Sequence, residues 1–154
     1  MSNLDNALKL LEAAPYKRKG ATDSQIRAAA KKLRRPIPLA WQQVMKIADG
    51  GAIFTHAKEC EEFDMSKAKD FAKNNKFARD FVEQGWPKFP KHYLAVVANE
   101  FQDFIFLDTS KVNRDGDCPV VFIDHEECRV QKKWPSIAKL LEYVLTAKPR
   151  KKKA

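Results

Sequence analysis

Apolar positions along the chain change their period twice. In "NLDNALKLLEAAP", Leu4, Leu8 and Leu11 fall at i, i+4 and i+7 and Pro15 ends the run, which predicts a short amphipathic helix. A basic linker, "YKRKG", follows. Thr22 with Gln25 three residues on is a capping-box pattern, and Ile26, Ala29, Ala30 and Leu33 form the stripe of a second helix ending near Arg34. Pro36 disfavours helix in the residue before it. Pro38 suits the first turn of a third helix, on which Trp41, Val44, Met45 and Ala48 share a face.

The glycine pair in "MKIADGGAIF" fits either a phosphate loop or a helix stop. It lacks the later glycine and the Lys-Ser or Lys-Thr of a phosphate loop, and it follows a helix where such loops follow a strand. The structural reading is therefore preferred. Gly50 takes the left-handed position at the helix end, Gly51 lets the chain reverse closely against a neighbour, and "AIF" starts a strand. From Asp64 to Gly85, Ala68, Phe71, Ala72, Ala78, Phe81 and Val82 return at helical spacing around "KNNK", predicting one broken helix or two short ones. Phe71, Phe77 and Phe81 are read as its buried face.

Beyond the proline-broken "GWPKFPKHY" the period shortens. "YLAVVA" and "FIFLD", joined by the polar "NEFQD", predict a hairpin, and "CPVVFIDH" predicts a third strand after the Asp-Gly turn in "TSKVNRDGD". "CRVQ" adds a short fourth. In "WPSIAKLLEYVL", Ser136 caps a helix with Ile137, Leu140, Leu141, Val144 and Leu145 on one face. Helices, then strands, then a helix predict an α+β domain with helices segregated on an antiparallel sheet of about four to six short strands.

A length of 154 residues suits one such domain, expected over residues 1–147. No signal peptide or long apolar run is visible, so a cytoplasmic protein is expected. Cys60, Cys118 and Cys128 are an odd number at no framework spacing, and reduced thiols are expected rather than disulfides. The net charge of +9 is uneven: residues 148–154, "KPRKKKA", hold five bases and no acid, and residues 1–50 hold 10 bases against 4 acids. The remaining middle is nearly neutral. The tail is expected to be a solvated, disordered segment, and single-strand nucleic-acid binding would need aromatic platforms along a basic groove.

Two constellations invite chemistry. His56 and Cys60 with Cys118, His125 and Cys128 are zinc-ligand types, but no Cys-x-x-Cys pair anchors them, and no metal or cofactor is expected. Asp124, His125, Glu126 and Glu127 stand just past an apolar strand, where acids and bases of catalysis often sit. No nucleophile motif or second acid at a recognisable spacing accompanies them, so an enzyme is not expected.

Taken in order, the helix before "RRPIPLAWQQVMKIADGG", the glycine pair, "FIFLDTS", "CPVVFIDHEE" and the terminal "SIAKLLEYVL" resemble the SUKH superfamily, the Smi/Knr-type family, over roughly residues 22–146. The chain departs from its usual pattern in having no glycine between Asn99 and Asp103, and in the long segment 58–88. The resemblance implies a non-enzymatic protein; the sequence does not fix the oligomeric state, and a monomer is the expectation. Bacterial members chiefly bind and neutralise a cognate polymorphic toxin, often one acting on nucleic acids, while fungal members regulate cell-wall synthesis. An inhibitor of a nuclease is expected to present carboxylates to a basic cleft. The candidates are Glu59, Glu61, Glu62 and Asp64 after the first strand, with Asp124, Glu126 and Glu127 after the apolar strand; Trp41, Gly50 and Gly51 are expected to be structural. The overall basic charge would suit an acidic toxin surface better. The alternative is a nucleic-acid-binding module, resting on the terminal bases, or a regulatory interaction module related to the cell-wall synthesis regulators.

Overall fold

Helix α1 (Asn3–Glu12) buries Leu4, Ala7 and Leu11 on one stripe, as its spacing requires. The computed structural model describes residues 3–14, 17–51, 53, 63–80, 89–98, 103–124, 126–127 and 129–146. Helix α2 (Asp23–Leu33) opens on the expected capping box: the Thr22 hydroxyl accepts the Gln25 N–H at 3.1 Å and the Gln25 carboxamide accepts the Thr22 N–H at 2.9 Å. Two donors without helical partners are thereby satisfied. Arg35, next to the left-handed Arg34, clips this helix exit to the sheet. Its guanidinium donates to the carbonyls of Lys91 at 2.7 Å and His92 at 3.2 Å and to the Thr109 hydroxyl at 2.8 Å, and burial pulls its pKa down.

Helix α3 (Leu39–Ile47) starts one residue past Pro38 and buries Ala40, Trp41, Val44 and Met45, so Trp41 is a core residue. The glycine pair follows with a shift in position. The backbone leaves the helix at Ala48 in an extended conformation, and positive φ falls later, at Gly50 (87°) and Gly51 (103°). Gly50 thus turns the chain beyond the cap rather than being the left-handed cap itself. A Cβ there would meet the Lys67 Cγ at 2.6 Å. The Gly51 carbonyl accepts the Met65 N–H at 3.0 Å, the close return foreseen for it. Ile53 is a buried turn residue; Ala52 and Phe54, the rest of the expected strand start, lie outside the described residues.

Strands β1 (Asp64–Met65), β2 (Tyr93–Ala98), β3 (Phe104–Asp108), β4 (Val120–Ile123) and β5 (Val130–Trp134) form an antiparallel meander in chain order. The β2–β3 hairpin and the third apolar strand lie where the sequence pattern places them, and β5 runs beyond "CRVQ" to Trp134. One face carries Leu94, Val96, Ile105, Leu107, Val120 and Phe122 into a core shared with α1, α2 and α3 and with the last helix, α5 (Ile137–Thr146). The other face carries Ala95, Phe104, Phe106, Val121 and Ile123 into a second cluster with Phe89 and Tyr93. Both faces are buried, which is why these strands read as continuous apolar runs.

The segment after β1 departs from expectation. A 3-10 turn at Ala68–Asp70 leads into α4 (Phe71–Asp80), which passes through Lys73–Lys76 without a break. Phe71 is fully buried, but Phe77 is 50% exposed, contrary to the expected buried face. Six residues on, Phe77 sits about 120° round the helix from Phe71, whereas Ala78, seven on, returns to the buried side. Phe81 lies outside the described residues. Helix α5 begins as expected, with the Ser136 hydroxyl accepting the Lys139 N–H at 3.0 Å. Its first turn has a second acceptor in the buried Asp117, whose carboxylate takes the N–H of Ile137 at 2.6 Å and of Ala138 at 3.3 Å. The architecture is α+β.

Candidate functional site

Among the described residues, the carboxylates nominated from the sequence fall into two places. Asp124, Glu126 and Glu127 share the turn between β4 and β5, built by the Asp124 carboxylate accepting the Glu127 N–H at 2.9 Å. Glu127 is not free to act as a bare anion. Arg129 donates to its Oε2 from Nε at 2.7 Å and pairs through a second nitrogen at 2.6 Å, and Gln131 adds a contact at 3.3 Å. These bonds hold the Glu127 carboxyl below the usual carboxylate range, the Arg129 hydrogen bond contributing most. Glu126 is exposed and makes no ion pair among the described residues.

Asp64 stands apart on edge strand β1. Its register partner is Ala98, which faces Phe104, which faces Ile123, the residue before Asp124. Asp64 and the β4–β5 turn therefore lie at the same end of the sheet, roughly 14 Å apart across three strand spacings. Asp64 lines a cleft of ≈ 450 Å³ between β1 and α4, with Arg18, Lys67, Asp70, Asn74 and the exposed Phe77. Glu59, Glu61 and Glu62 lie outside the described residues, as do His56, Cys60, His125 and Cys128 of the zinc constellation. Cys118 is a buried thiol, pushed up to about 12 chiefly by burial, with the nearby Asp117 and Asp108 charges adding to it. Among the described residues no group of three His, Cys, Asp or Glu side chains is placed to hold a metal ion, and no helix is long and apolar enough to cross a membrane.

A second concavity was not foreseen. A groove of ≈ 600 Å³ runs between α2 and the Ala68–Asp70 turn, lined by Arg18, Lys19, Lys32, Lys67, Lys69 and Asp49. Its cations come from three separate stretches of sequence. Only the basic excess of residues 1–50 hinted at it; the packing of α2 on the 68–70 turn assembles the rest.

Fold and surfaces together define an α+β protein with α1, α2, α3 and α5 on one face of an antiparallel meander, α4 against its β2 edge, and polar concavities beside α4 and α2. The model of the SMI1 / KNR4 family (SUKH-1) matches residues 20–143, and the chain belongs to that family. No significant match was found among curated proteins.

Proposed function

We propose that the chain is a non-enzymatic immunity protein that binds a cognate bacterial protein toxin in the cytoplasm of the producing cell and neutralises it stoichiometrically. The observation that carries this reading is family membership across residues 20–143, since proteins of this family generally act by binding rather than catalysis. The carboxylates Asp64, Asp124 and Glu126 at one end of the sheet are the principal proposed contact for a basic toxin cleft, and Glu59, Glu61 and Glu62 are proposed as further contact residues. Glu127 contributes less charge because Arg129 compensates it. Such groups would act mainly on association rate and selectivity.

Co-expression with the toxin encoded by a neighbouring gene tests the reading. Survival of cells making both proteins, with a stable one-to-one complex after purification, is expected. Full lethality in the presence of folded protein would end the immunity reading. Asp64→Lys with Glu126→Lys, at two exposed carboxylates that hold no turn, is expected to slow association without altering the fold; an unchanged association rate would move the contact elsewhere on the molecule.

A further inference from the structure

We infer that the basic groove between α2 and the Ala68–Asp70 turn is a docking surface for an acidic segment of a partner protein. Its five cations surround one carboxylate, and that carboxylate is committed: Asp49 Oδ1 accepts the Ala68 N–H at 2.7 Å and holds the turn against the end of α3. None of Arg18, Lys19, Lys32, Lys67 and Lys69 forms an ion pair among the described residues. Like charges around a concavity focus a positive potential and repel one another, and both effects favour a guest that brings carboxylates. The floor is small, formed by Ala28, Ala29 and Ala68, so a backbone can approach closely while lysine stems flank it.

The surroundings favour polypeptide over single-stranded nucleic acid. Among the described residues no aromatic side chain lines the groove, so none of them offers bases a platform on which to stack. An exposed ring, Phe77, lies in the adjoining cleft that shares Arg18 and Lys67, but Asp64 and Asp70 line that cleft too. A phosphate backbone running from the lysines toward Phe77 would meet those carboxylates, whereas a peptide can place its acids on the lysines and neutral residues beyond.

The inference rests on the protein-binding reading above but uses a different surface, so the two fail separately: loss of toxin neutralisation leaves groove binding standing. The test measures fluorescence anisotropy of labelled decaglutamate, and of labelled oligothymidylate of the same length, with the full chain at low ionic strength. Two variants with the same change in net charge are compared: Lys32→Glu with Lys69→Glu in the groove, and Lys111→Glu with Lys133→Glu, which are exposed and line no part of it. Both retain the basic tail. The groove variant is expected to bind decaglutamate about ten-fold more weakly and the control within about two-fold of the parent, given the range of electrostatic focusing. Oligothymidylate is expected to bind the parent more weakly than the peptide. Equal weakening in both variants would show charge or tail binding alone and overturn the proposal. Tighter oligothymidylate binding that the groove variant abolishes would overturn it in favour of nucleic acid. Lysine-to-glutamine versions of the groove pair, with matched thermal melts, exclude misfolding as the cause of a loss.

Discussion

The Asn75 side chain pairs with the backbone of Ala95 as a neighbouring strand would. Its Oδ1 accepts the Ala95 N–H at 2.7 Å while its Nδ2 donates to the Ala95 carbonyl at 2.9 Å and to the Phe71 carbonyl at 3.0 Å. Strand β1 is only two residues long, and its pairing to β2 ends with the Ser66 N–H on the Val96 carbonyl. Beyond that point β2 would be an open edge beside a register shift between Ala95 and Val97. One helical side chain closes the edge and ties α4 to the sheet.

Asn75→Ala is therefore expected to lower stability by about 1–3 kcal/mol, because it strips partners from part-buried backbone groups. Asn75→Asp keeps an acceptor for the Ala95 N–H but turns a carboxylate toward two carbonyls, and it is expected to lose at least as much at neutral pH. Urea unfolding gives the difference, and amide exchange at Ala95 locates it. A substitution that left Ala95 as protected as in the parent would show that β2 has another edge partner.

Asp117 does comparable work at the other end of the core. It lies one residue past the Asp-Gly turn, and its carboxylate accepts from Cys118 at 2.7 Å as well as from the first turn of α5. A carboxylate at a helix start meets both the unpaired N–H groups and the positive end of the helix dipole. Asp117→Ala is expected to cost about 2–3 kcal/mol, read as a fall of roughly 5–10 °C in Tm. Asp117→Asn, which keeps an acceptor oxygen, is expected to lose less. Equal losses in the two variants would assign the effect to packing rather than to hydrogen bonding.

The elements legible in the sequence were those specified locally. The Thr22–Gln25 box, the Ser136 cap and the short apolar runs of the β2–β3 hairpin are each written within a few residues, and they hold in the structure. What was missed depends on partners distant in sequence. Asn74 and Asn75 are poor helix formers, so "KNNK" looks like an interruption; Asn75 is in the helix because its amide has a target twenty residues on. The same holds for Asp117 and α5, again twenty residues apart. The groove lysines were visible only as net charge, because their grouping comes from packing of α2 on the 68–70 turn. Conversely, Asp124, Glu126 and Glu127 were bound to lie together by adjacency, and the structure's addition was Arg129, which compensates one of them.

The Cys118 thiol makes stability sensitive to alkaline pH. Its pKa is about 12 in the folded protein against 9.0 ordinarily, so between those values the unfolded chain loses a proton that the folded chain keeps. Stability from this group is complete below pH 9.0 and is lost as pH rises toward 12. Tyr93, also raised by burial, acts in the same direction. In a Cys60→Ser, Cys128→Ser background, the remaining thiol is expected to resist a thiol reagent at pH 8 until urea unfolds the chain. Adding Cys118→Ala should flatten the alkaline slope; an unaltered slope would show that this thiol does not set it.

Gly20 couples the fold to the basic groove. A Cβ on this residue would lie 1.7 Å from the Lys46 carbonyl oxygen and 2.4 Å from its carbon, which are backbone atoms of α3 and cannot swing aside. The linker is pinned on both sides of this contact, by the Ala21 N–H on the Met45 carbonyl at 2.8 Å and the Asp49 N–H on the Lys19 carbonyl at 3.2 Å. Gly20→Ala must lift the linker off α3, and a loss of at least about 2 kcal/mol is expected from the clash and the broken bonds. Arg18 and Lys19 ride on the same linker, so decaglutamate binding should weaken in the variant even at temperatures where it remains folded. Amide exchange separates the two effects: Ala21 and Asp49 should lose protection while the core strands keep theirs. A variant with parental Tm and parental protection at both amides would mean that the linker does not depend on this close approach.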